Sequence, residues 1–194
     1  MNLTNLRRLT ALLMCTGTVV LVGCANVQLA EPTAVVENVQ KARASGMAPV
    51  AIGAFNLAPG KNPSMDQAIS IRSNRFYSPY DNSFSKYLAQ TLAVNLRAAG
   101  LLATDSRWMI QGELTQSTLH VPTKQGKGSL AGRFFVLDEG RKTYDKEHEV
   151  EAKWESSFVG VVAIPAAINE YMALYHKLIG QLLDDPEFRK AVSP

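Results

Sequence analysis

"RWMIQGELTQSTLHVPTKQGKGSLAGRFFVLDEGRKTYDKEHEVEAKWESSF", residues 107–158, decides the fold. Its Trp, Ile, Thr and Val content favours a long strand from Arg107 to Val121, "LAGRFFVLD" (130–138) is a second apolar run, and "RKTYDKEHEVEAKWESSF" (141–158) is a third. The polar "PTKQGKGS" (122–129) and the tight "DEG" (138–140) read as the links between them. Links this short join neighbouring strands only in the antiparallel sense, so the stretch predicts a three-stranded meander.

Helices flank the meander. In "SFSKYLAQTLAVNLRAAG" (83–100), Phe84, Leu88, Leu92 and Leu96 recur every four residues and Ala99 continues the stripe, with Ser83 placed to cap the start and Gly100 the end. After the meander, Ile164, Ile168, Tyr171, Tyr175, Leu178 and Leu182 share one face of a helix from Ile164 to Leu183, with Pro165 in its first turn. Pro186, following Asp184 and Asp185, starts a short terminal helix. Upstream, Val50, Ile52 and Phe55 in "APVAIGAFNLAPG" (48–60) fit a buried strand, and Ile69 and Ile71 alternate with polar neighbours in "AISIR" (68–72) as a short one. The order strand, strand, helix, three strands, helix predicts the α+β class. The expected form is an antiparallel sheet of about five strands with two long helices packed on one face, all within residues 47–194. A doubly wound parallel sheet would need repeated alternation of strand and helix, which the meander denies.

Chemical motifs are sparse. "KQGKGS" (124–129) ends like a phosphate loop, but the earlier glycine of that motif is absent and a strand follows, so it reads as a hairpin loop. Asp145, Glu147, Glu149 and Glu151 share one strand face beside His148, a charged solvent face with a weak cation site as the sharper alternative. His120, His148 and His176 match no metal spacing, and Ser156 and Ser157 lack the glycine that a nucleophile elbow needs. No catalytic residue, metal or cofactor is expected, and the chain reads as no enzyme. Trp154 and Phe158 are expected to lock the last strand onto the last helix. The long connection "SNRFYSPYDN" (73–82) is read as a loop whose Arg75, Phe76, Tyr77 and Tyr80 form a candidate partner-binding surface.

The chain has 194 residues and a formal net charge of +3. Arg7 and Arg8 account for two of its 20 basic residues, leaving 18 against 17 acidic ones from Cys24 onward. That balance provides no electrostatic footprint for nucleic acid. At the N-terminus a basic segment ending "NLRRL" precedes "TALLMCTGTVVLVG" (10–23) and then Cys24. The apolar run is shorter than the roughly 20 residues a spanning helix needs, so residues 1–23 read as a signal peptide. Residues 24–46, polar and small, read as a tether.

Leu21-Val22-Gly23-Cys24 resembles the lipobox of bacterial lipoproteins. The resemblance implies cleavage after Gly23, diacylglycerol on the Cys24 thiol and an acylated Cys24 amino group, which makes Cys24 the membrane anchor. Ala25 in the next position implies sorting to the outer membrane, facing the periplasm, in a Gram-negative source. Through the lipobox, "SFSKYLAQTLAVNLRAAGL" (83–101), "RWMIQGELTQ" (107–116) and "AINEYMALYHKLIGQLLDDPEF" (167–188), the chain further resembles the YajG-like family of small outer-membrane lipoproteins. The tether, "SPYDNSF" (78–84) and strand order are also similar to PqiC-like auxiliary lipoproteins of envelope transport systems. These resemblances imply a non-enzymatic binding or assembly module of the cell envelope with an envelope protein as partner, or an accessory subunit of a lipid or solute transport machine. Neither implies catalytic residues.

Overall fold

The computed structural model describes residues 27–194. The expected signal peptide, its expected cleavage position at Gly23 and the expected lipidation site Cys24 lie outside them. In chain order the elements are β1 (Val27–Gln28), α1 (Val36–Ala44), β2 (Ala51–Leu57), α2 (Ser64–Gln67), β3 (Ile69–Ile71), β4 (Asn74–Tyr77), α3 (Phe84–Ala99), β5 (Trp108–His120), β6 (Gln125–Asp138), β7 (Arg141–Glu155), α4 (Gly160–Asp184) and α5 (Pro186–Ala191).

The meander forms as read, β5–β6–β7 pairing antiparallel, with a bulge in β5 between Leu114 and Gln116 and another in β7, where Thr143 is the extra residue opposite Val136 and Leu137. The single five-stranded antiparallel sheet does not form. β2 joins β5 in parallel to complete a four-stranded sheet in the order β2-β5-β6-β7, while β3 and β4 form a hairpin that β1 extends in parallel as a separate three-stranded sheet. The parallel pairing follows from connectivity. Between β2 and β5 lies the α3 crossover, which returns the chain to the same end of the sheet.

Both long helices cover the same sheet face. A Cβ built on Gly132 of β6 would lie 3.1 Å from Leu88 of α3 and 3.4 Å from Leu178 of α4. Gly128 and Gly126 belong to the same row: a Cβ at the first would meet Leu174 at 3.0 Å and one at the second would collide with the Trp154 ring. "KQGKGS" is therefore strand from Gln125 onward rather than a hairpin loop, and only Pro122–Lys124 turn the chain. Its glycines serve close approach of helix and ring to the strand, which produces the same composition as a turn. The core beneath the helices holds Phe84, Leu88, Leu92, Leu96, Ile110, Leu114, Phe134, Tyr171, Tyr175 and Leu178, all essentially solvent-free. Ser83 caps α3 by accepting from the Lys86 N–H, and Gly100 closes it in the left-handed conformation, φ +80°.

The stretch expected as a tether is packed from residue 27 on. α1 lies across α3 and α4, forming a third layer, with Ala42 fully buried and Asn38 nearly so. Asn38 donates to the His176 carbonyl (2.9 Å), Val35 N–H to Asn95 (3.0 Å), Arg43 to the Ala98 carbonyl (2.9 Å), and Lys41 pairs with Asp184 (2.6 Å). The folded unit thus begins at least 20 residues before Met47. Its polar composition reads as linker because these contacts are hydrogen bonds rather than an apolar stripe. Phe158 also departs from expectation: it is 80% exposed and locks nothing. Trp154 covers Gly126 instead.

Candidate functional site

β2 is an edge strand whose outer side is paired only at its entry, where Val50 donates to the Leu101 carbonyl (3.0 Å) and accepts from the Ala103 N–H (2.9 Å); from Ala51 onward no described strand pairs with it. Alongside it the outer flank of α3 stands off, opening a groove of about 770 Å³ between Gly53–Asn56 of β2 and Lys86, Gln90 and Arg97 of α3. Small residues make the space: Ala54 on the strand, Ala89 and Ala93 on the helix, with the Met109 side chain lying over Gly53. One end is closed by Pro79, Tyr80 and Asp81, where Asp81 pairs with Lys86 at 2.6 Å. The Lys86 ammonium holds the Asp81 carboxyl below its usual range. Tyr80 packs against Tyr87 with ring centroids 6.2 Å apart, and burial pushes its hydroxyl pKa up. Arg97 stands exposed at the other end. An edge strand backed by a helix offers main-chain donors and acceptors to an extended chain, with side-chain recesses on either side.

Of the four residues expected to form the contact surface, only Tyr80 borders this groove. The other three are in a strand, β4, rather than a loop, and strand alternation separates them. Phe76 points inward and is 4% exposed, paired with Ile69 and Val27, whereas Arg75 is exposed above the half-buried Tyr77 ring at 6.0 Å. The hairpin is hard to see in sequence because its turn residue Arg72 adopts φ +55°, a conformation that composition does not announce.

Two buried polar networks escaped the sequence reading. On the helix-facing side of β7, the Tyr144 hydroxyl lies 2.7 Å from His148 Nε2 and donates to Asp185 Oδ2 at 3.0 Å, and Lys146 pairs with the same oxygen at 2.9 Å. Asp185 also caps α5, accepting from the Glu187 and Phe188 N–H groups. Burial raises its carboxyl, but Lys146, those N–H groups and Tyr144 together hold it below the ordinary value. Period-two alternation explains the arrangement: it turns His148 inward and the carboxylates of Asp145, Glu147, Glu149 and Glu151 outward, splitting what looked like one cluster. Outside, Asp145 binds Arg133 (2.6 Å), Glu147 accepts from Thr115 (2.6 Å) and Glu149 from Gln116 (3.0 Å). No group of three or more His, Cys, Asp or Glu among the described residues is placed to hold a metal ion. The second network is a tyrosine chain, in which Ser117, Tyr171 and Tyr175 hydroxyls contact in sequence at 2.7 and 2.9 Å, with the Tyr87 ring 4.9 Å from that of Tyr175. Burial pushes the Tyr87 hydroxyl up to about 12, and Tyr87 donates to the Ala30 carbonyl, fastening the N-terminal segment.

These burials set a pH dependence. Desolvation lowers the pKa of both His148 and His176, so each binds a proton less readily folded than unfolded. Their contribution is complete above the ordinary imidazole value of about 6.5 and is lost progressively as pH falls below it. Asp185, whose hydrogen-bond partners outweigh its burial and hold it low, adds a second loss once pH falls below about 3.9 toward its folded value. Thermal melts are expected to be flat above pH 7 and to drop between about pH 6.5 and 5, with the drop reduced in His148→Gln.

No family model matches the chain, and no curated protein matches it. Solved structures with partly similar arrangement include a Xanthomonas campestris protein (11% identity, TM-score 0.47, covering 81% of this chain and 91% of that one). Others are a minor lipoprotein from Acinetobacter baumannii (12%, 0.38, 75% and 90%) and the rare lipoprotein B from Shewanella oneidensis (9%, 0.36, 68% and 92%). Likeness at this level assigns neither family nor function.

Proposed function

We propose that this chain is a lipid-anchored, non-enzymatic binding module of the cell envelope. Acyl groups on Cys24 hold it at the periplasmic face of the outer membrane, and its groove takes an extended segment of an envelope protein partner. The open outer edge of β2, flanked by Lys86, Gln90 and Arg97 of α3, carries the binding half of this reading. Leu21-Val22-Gly23-Cys24 after an apolar run too short to span carries the anchoring half. Several acyl chains at about 0.8 kcal/mol per buried methylene make a durable attachment where one would be marginal. The near balance of charge leaves nucleic acid without a role.

One experiment tests both halves. In cells fed a clickable palmitate, Cys24→Ser is expected to lose the label and accumulate as uncleaved precursor, whereas Gln90→Trp, which fills the groove from the solvent side, keeps the label and loses the partners that co-purify from detergent-solubilised membranes. A labelled serine variant refutes the anchor. A stable Gln90→Trp that retains every partner refutes the groove.

A further inference from the structure

Among the described residues, six large hydrophobic side chains are strongly exposed, and four of them, Phe158 (80%), Val159, Val161 (79%) and Val162, fall within five consecutive positions. They form the link from β7 into α4 and that helix's first turn, which contains no acidic residue. A contiguous apolar tip of this kind on a protein surface marks contact with something apolar. The tip is also held in shape: the Arg72 guanidinium, on the β3–β4 turn, donates to the carbonyls of Ser157 and Phe158, and Val159 N–H donates to Ser157 Oγ.

The course of the chain says what covers it. β1 runs parallel to β4 with Val27 opposite Phe76 and Gln28 opposite Tyr77, and β4 starts immediately after the turn that carries Arg72. β1 is therefore entered from the end of the small sheet that is pinned to the tip. Val27 is itself 41% exposed and is a fifth member of the exposed set. Only Ala25 and Asn26 separate it from Cys24. Three residue steps span at most about 10 Å, so acyl chains on Cys24 bring the bilayer within that distance of β1.

We infer that Phe158, Val159, Val161 and Val162 insert into the interfacial region of the membrane that holds Cys24, so that the domain rests on the bilayer by this tip. The inference rests on the proposed lipidation of Cys24. No described helix is long and apolar enough to cross a membrane, and the contact is a shallow one, apolar side chains entering the headgroup and acyl boundary. Arg72 and Lys124 flank the tip within reach of headgroup phosphates, with Glu155 the acidic residue beside Lys124. The tip fixes an orientation that the acyl chains alone would leave free.

Full-length protein, purified with palmitate label and reconstituted in phosphatidylethanolamine–phosphatidylglycerol vesicles, would carry a spin label at Val161→Cys or, as control, at Val36→Cys, an exposed valine on α1. The label at 161 is expected to be relaxed several-fold more by lipid-dissolved oxygen than by an aqueous nickel chelate, with the control showing the reverse. Phe158→Ser with Val162→Ser is expected to return the label at 161 to the aqueous pattern while the protein still floats with the vesicles. Palmitate present but both labels aqueous overturns the inference alone. A label at 161 shielded from both reagents would mean protein covers the tip, overturning the lipid assignment. Absence of palmitate from the parent protein overturns the anchor and this inference together.

Discussion

Leu92→Asp is expected to unfold the domain. Leu92 is fully buried under α3, in the stripe with Phe84, Leu88 and Leu96 that faces the sheet. Removing a leucine side chain from such a site costs about 2–5 kcal/mol by itself. A carboxylate placed there has no partner and adds a desolvation penalty, or protonates at a similar cost. Against a total stability of roughly 5–15 kcal/mol, little folded protein survives. Gln90→Asp tests the same helix two residues away, where the side chain borders the hydrated groove and is only partly buried. Its cost is expected to stay below about 1 kcal/mol. Urea denaturation followed by far-ultraviolet circular dichroism measures both, and equal midpoints would contradict the burial of the stripe.

Asp185→Ala is expected to be strongly destabilising. It removes the cap of α5, worth about 1 kcal/mol, and the charged acceptor of a buried tyrosine hydroxyl, worth about 1.5–3 kcal/mol. The Lys146 pair adds little, since that lysine side chain is 42% exposed and water replaces the contact. A loss of about 2–4 kcal/mol in urea denaturation is expected. Asp185→Asn, which retains a capping oxygen but not the charge, should lose about 1 kcal/mol less. Equal losses for the two variants would show that the cap contributes nothing.

What the sequence made legible, and what it hid, divides by the kind of signal. Elements with an apolar period stood out: α3 through its four-residue stripe, α4 through its tyrosines and leucines, and β5 to β7 through length and composition. The sheet's parallel member did not, because whether β2 pairs parallel or antiparallel depends on where the α3 crossover returns it, not on Val50 to Leu57. α1 was hidden for a different reason. Asn38, Lys41 and Arg43 hold it by hydrogen bonds and an ion pair, and such residues have the composition of a linker. At the candidate site, Tyr80 was found through its aromatic ring, while the groove's strand edge carries no chemical signature because its binding groups are main-chain amides. Phe158 shows the converse: an aromatic residue among valines suggests a core until the fold leaves it outside.

The docking of α1 on the last long helix ties the two ends of the sequence together, Asn38 reaching His176 across 138 positions. The contacts of this N-terminal segment with β4 and α3, through Ala30, Val35 and Arg43, need nothing that follows α3, but the other half of its seat, His176 and Asp184, comes only with α4. How firmly the first helix sits is thus decided by the far end of the sequence: a chain cut short before His176 would leave α1 with only one of its two helical neighbours.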